Sequence, residues 1–241
     1  MPATQMEAGD IPAVYRRFST AIGESHWQGS VARQEAAIRA NRFLERYLRN
    51  EYDIASQLEM LRRLKARFGI VPLEVCNDLR IYPAMGFAAQ ALEVMDRSTP
   101  KQARTFVKRV RTAIADVGNM HGLRLELQAA SHFTRRGHRV SWPKAAPGGT
   151  FDLLVEDLGP SGLEVECKSI SESKGRRIHR REALDFWGLI WTDLEGVARN
   201  LKAGLAVVLT LPNRLPDDAG DRASLARQVV ARILAGSGAA S

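Results

Sequence analysis

The sequence predicts an α/β protein: a central mixed sheet flanked by helices over residues 120–241, preceded by an all-α domain over residues 1–119. Three observations predict it. Apolar residues recur at helical spacing through the first half. The second half alternates short strand-like runs with helical stripes. Residues 204–211 (GLAVVLTL) form a continuous apolar run, the pattern of a strand buried on both faces.

In order along the chain, residues 31–48 carry a stripe that ends in Leu44 and Leu48. Leu58, Leu61, Leu64 and Phe68 form a second stripe, and Ala103, Val107, Val110, Ile114 and Val117 a third, each on a helix whose other faces carry Arg and Lys. Breaks are expected at Gly69-Ile-Val-Pro72, at Tyr82-Pro83 and at Ser98-Thr99-Pro100, where Ser98 or Thr99 caps the following helix and Pro100 occupies its first turn. A helix is predicted over 122–136, short strands over 138–142, 150–156 and 163–169, a Pro- and Gly-rich loop over 143–149, and a turn at 159–162. A long helix over 178–201 places Leu184, Trp187, Trp191, Leu194, Ala198 and Leu201 on one face, and a last helix covers 218–235.

Composition narrows the class. The chain has 241 residues, 45% hydrophobic and 26% charged, which excludes wholesale disorder, a collagen and a disulfide scaffold. Its net charge is +8 and its pI about 9.9, a balance that favours polyanionic partners, nucleic acid first. The two cysteines, Cys76 and Cys167, show no CxxC or Cys/His pairing, which argues against structural zinc and fits a reducing compartment. The first residues show no secretory pattern, and no apolar run reaches the ~18 residues of a membrane span. The expected location is the cytoplasm, with no membrane partner.

One constellation carries chemistry. In Leu163-Glu164-Val165-Glu166-Cys167-Lys168, Glu164, Glu166 and Lys168 alternate onto one face. Asp152 interrupts the apolar strand Phe151–Val155, and a hairpin across residues 159–162 would bring it beside Glu166 and Lys168. Glu126 falls inside the apolar stripe Leu123, Leu127, Ala130 and Phe133, a costly place for a carboxylate unless a cation waits there. Asp152, Glu166 and Glu126 with Lys168 compose a hard-oxygen site suited to Mg²⁺ or Mn²⁺, with Lys168 placed to stabilise charge on phosphorus. Just beyond, Lys174, Arg176, Arg177, His179, Arg180 and Arg181 crowd the entry to the next helix, where they can hold phosphates.

Gly149-Thr-Phe-Asp152 followed by Glu166-Cys-Lys168, after a helix bearing Glu126, resembles the PD-(D/E)xK nuclease superfamily, the restriction-endonuclease-like fold. The resemblance covers about residues 120–211, with Phe151 where the family name has proline. It implies that Asp152 and Glu166 are metal ligands, Lys168 the catalytic lysine and Glu126 an accessory acid. The expected activity is divalent-metal-dependent endonucleolytic hydrolysis of phosphodiester bonds, on DNA rather than RNA. Cutting both strands of a duplex with one site per chain would favour a homodimer. The alternative is a nuclease-fold module that binds nucleic acid without cutting, or one regulated by a protein partner held by the helical half.

Blander readings stand beside these. Glu164, Glu166 and Lys168 also suit a solvated strand face, and the basic run a solvated helix start. Cys167 reads as a small packed residue, and Trp187 and Trp191 as core.

Overall fold

Helix boundaries follow the punctuation of the sequence. A computed structural model describes residues 6–142, 151–169, 176–200, 206–211 and 214–237. Helix α1 (Ile11–Ile22) leads to α2 (Ser25–Ala40), α3 (Glu45–Glu51) and α4 (Asp53–Phe68). Helix α4 stops at Gly69, whose φ of 77° is the left-handed conformation glycine adopts without a Cβ penalty. Pro72 precedes the single turn α5 (Leu73–Cys76), and α6 (Tyr82–Arg97) has proline in its first turn. Thr99 caps α7 (Pro100–Ala115) reciprocally: its hydroxyl accepts the Gln102 N–H, and the Gln102 side chain accepts the Thr99 N–H. Asp116 accepts the Asn119 N–H at 2.8 Å and starts α8 (Val117–Arg135) five residues before the expected start at 122.

The structure departs from the predicted fold class. The described residues are mostly helical, and they hold one small antiparallel meander instead of a central mixed sheet flanked by helices. Strands β1 (Val140–Ser141), β2 (Leu153–Val155) and β3 (Leu163–Val165) pair in the order β1-β2-β3, with Val140 opposite Val155 and Leu154 opposite Glu164. The strands expected over 150–156 and 163–169 are therefore short. A side chain ends the ladder: Asp152 Oδ2 accepts the Cys167 N–H at 2.8 Å. The apolar run is the second departure. Its described residues, 206–211, form no strand, and Val208 is 94% exposed. A run of apolar residues marks burial only where an element covers it, and this one has no ladder partner among the described residues. The expected loop at 143–149 lies outside the described residues.

The turn between β2 and β3 needs glycine at Gly162. Its φ is 81°, and a Cβ there would lie 2.9 Å from Leu154 Cδ1.

Two compact units emerge. The first comprises Met1–Gln34 and Arg49–Ile170, so α8 and the meander belong with the N-terminal helices. Its core joins Ile11, Tyr15, Phe18, Trp27, Leu58, Leu61, Met85, Ile114 and Leu123, and Phe18 stacks on Trp27 with centroids 6.3 Å apart. The predicted stripe of α4 is buried at Leu58 and Leu61 but runs out at Phe68, 53% exposed. Leu153 and Val155 of β2 are fully buried. The second unit comprises Glu35–Leu48 and Ser171–Ser241. Here α9 (Arg180–Asn200) packs on α10 (Ala219–Ser237) through Phe186, Ile190, Leu194, Ala226 and Val230. Among the described residues, no helix is long and apolar enough to cross a membrane.

Candidate active site

Glu126 sits where the sequence places it, on the inward stripe of α8 with Met120, Leu123, Leu127 and Ala130, and is 3% exposed. The cation it requires comes from α7: Arg109 Nη2 donates to Glu126 Oε1. The second carboxylate oxygen, Oε2, is buried and has no hydrogen-bond partner. Burial pushes the Glu126 carboxyl above its ordinary value, Arg109 pulls it back in part, and the charge of Asp152 adds to the rise.

Asp152 approaches from the residue before β2. Its N–H donates to Val165 O at 3.0 Å, and its carboxylate takes the Cys167 N–H. Cys167 is half-buried on the same side. Burial, then the charges of Asp152 and Glu126, hold its thiol above the ordinary range, against the pull of Arg109. Arg109, Glu126, Asp152 and Cys167 thus share one electrostatic neighbourhood.

Glu166 and Lys168 are arranged differently. They are exposed and pair with each other, Lys168 Nζ lying 3.3 Å from Glu166 Oε1. Among the described residues no three His, Cys, Asp or Glu side chains converge as a metal group requires. The structure brings Glu126 and Asp152 together, and Glu166 and Lys168 together, but does not merge the pairs.

The basic run lies in the second unit. Lys174 is outside the described residues. Arg176, Arg177 and His179 before α9, and Arg180 and Arg181 in its first turn, are all exposed. The His179 N–H donates to Glu182 Oε2 at 2.8 Å, and Arg181 Nε is 3.7 Å from Asp185 Oδ2.

Arg109 and Cys167 are the members that sequence reasoning missed. A carboxylate in an apolar stripe demands a cation, so the need for a partner was readable, but nothing in the sequence singles out Arg109 among 35 Lys and Arg residues. Compared with known proteins, the chain matches no family model, no curated protein and no solved structure.

Proposed function

We propose that the chain is a divalent-metal-dependent endonuclease acting on nucleic acid, DNA rather than RNA. One observation carries this reading: a carboxylate, Glu126, buried to 3% exposure with one oxygen unpartnered and a second carboxylate, Asp152, beside it. A buried anion of this kind costs several kcal/mol unless a cation compensates it, and Arg109 answers only one of its oxygens. Carboxylate oxygens suit Mg²⁺ or Mn²⁺, which Glu126 and Asp152 would hold. Such an ion would lower the pKa of a bound water and polarise a phosphodiester. Lys168, exposed three residues past the end of β3, would donate to a non-bridging phosphate oxygen and steady charge there. The exposed arginines at 176–181 would contact nucleic-acid phosphates.

A second reading, binding without cleavage, draws support from the mutual pairing of Glu166 and Lys168. A cleavage panel of duplex, single-stranded and branched DNA and of RNA, with Mg²⁺, Mn²⁺ or EDTA, separates the two. The endonuclease cuts only with metal, and Lys168→Ala lowers the rate about 10²–10³-fold without loss of stability, because the side chain is 76% exposed. Equal cutting by Lys168→Ala would sink the assignment. Salt-sensitive binding with no cutting under any condition would establish the second reading.

A further inference from the structure

We infer that Phe43, Trp187 and Trp191, with Arg42 laid over Phe43 and Trp191, form a stacking platform for unpaired bases of single-stranded nucleic acid. The inference rests on nucleic acid being the ligand, and not on its cleavage. Helix α9 has two apolar faces. Phe186, Ile190 and Leu194 are buried, at 4%, 1% and 0% exposure, in the core shared with α10. Trp187, which also packs against that core, and Trp191 are partly buried. Phe43 meets both indoles edge-on, with centroids 6.1 and 5.6 Å away. The Arg42 guanidinium lies 5.4 Å from the centroids of Phe43 and Trp191, with its side chain 63% exposed. Its carboxylate neighbour Glu195 is 3.9 Å away and is engaged more closely by Arg199 at 2.9 Å.

The cluster is held in place before any ligand arrives. Asn41 Nδ2 donates to Leu184 O at 3.0 Å, and Asn41 Oδ1 accepts the Phe43 N–H at 3.1 Å. Gly188 lets Asn41 come this close, since a Cβ there would lie 2.6 Å from Asn41 Nδ2. The surroundings supply the complementary charge. Arg39 and Arg46 are exposed on the flanking segment, as are Arg176 and Arg177 before α9 and Arg180 and Arg181 in its first turn. Arg180 precedes Trp187 by two helical turns, about 10 Å along the axis, and shares its face. Partly exposed rings with a guanidinium over them are the chemistry that binds single strands with little regard to sequence, because every base has a π-face and every nucleotide a phosphate. A duplex hides its base faces in the stack and exposes the phosphates and the base edges in its grooves.

The test uses the full chain in EDTA with an oligothymidylate and a blunt duplex of equal length, read by anisotropy and tryptophan emission. The expected result is quenching by the single strand. Arg42→Gln and Trp191→Leu should each weaken single-strand binding about tenfold and leave duplex binding within about twofold. Arg42→Gln changes an exposed side chain, so its folding is secure even if Trp191→Leu loosens the cluster. Unchanged single-strand affinity in both variants would overturn the platform, as would equal weakening for the duplex, which would mark Arg42 as a phosphate contact alone. Stacking with no metal-dependent cutting would remove the hydrolytic reading and leave the platform. Cutting with variants that bind single strands normally would do the reverse.

Discussion

Glu59 and Glu126 are buried to similar depth, 5% and 3% exposed, yet their carboxyls shift in opposite directions. Burial pushes Glu59 up, but hydrogen bonds from Arg62 and Arg63, each at 2.8 Å, outweigh it and hold the group below its ordinary value. Its contribution to stability is therefore present above the ordinary carboxylate range and is lost as pH falls through the folded value. Glu59→Gln should cost about 1–3 kcal/mol at neutral pH, and the difference from wild type in urea titrations should shrink as pH falls below the ordinary carboxylate range. Glu126 has the opposite sign. Its raised carboxyl favours folding only while protonated, and that advantage is lost as pH rises through the folded value. Glu126→Gln, measured in EDTA, should be as stable as wild type or more so at pH 8, with the gap closing as pH falls. Arg109 tolerates the loss because its side chain is 44% exposed. The same change should abolish metal-dependent cutting, and a clear destabilisation at pH 8 would show that the ion pair outweighs the burial cost.

Among elements, the contact of α9 with the segment at Asn41 decides the sign of a common substitution. Alanine for glycine inside a helix normally gains about 1 kcal/mol. At Gly188 the new Cβ would strike Asn41 and break its bond to Leu184 O. Gly188→Ala should therefore lower stability by about 1 kcal/mol, whereas in an Asn41→Ala background it should raise it. Denaturation midpoints of the four variants read this directly. The helices themselves are legible in the sequence, because a stripe of period 3.6 and its stop signals are local. Thr99, Pro100 and Gly69 mark ends where the structure has them. The sheet is not legible in the same way. Where a strand ends depends on which amides find partners, and the Cys167 amide finds the Asp152 carboxylate. Residues 206–211 mislead for a related reason: apolar character tells what a segment could bury, not what is there to cover it.

For the whole molecule, the two units have very unequal cores among the described residues. The first holds 27 buried apolar side chains in one cluster and the second six. Opening free energy follows buried apolar contact. Amide exchange should therefore be slowest in α1, α4 and α6 and markedly faster in α9 and α10, and equal protection across both would contradict this division. The candidate site divides along the same line. Glu126 and Asp152 were readable from their misplaced charge in apolar runs, while the platform was not, because half-burial of Trp187 and Trp191 depends on Phe43, far away in the chain.

That distance sets an order of manufacture. Asn41 emerges from the ribosome 143 residues before Leu184, whose carbonyl it binds. At usual translation speeds the segment carrying Phe43 and Leu44 waits roughly 7–30 s for its partner. During that interval the first unit can assemble from a nearly continuous stretch, while the second holds an early fragment with apolar side chains and nothing to set them against. The nascent chain therefore carries an unpartnered apolar interval near its start until α9 is made.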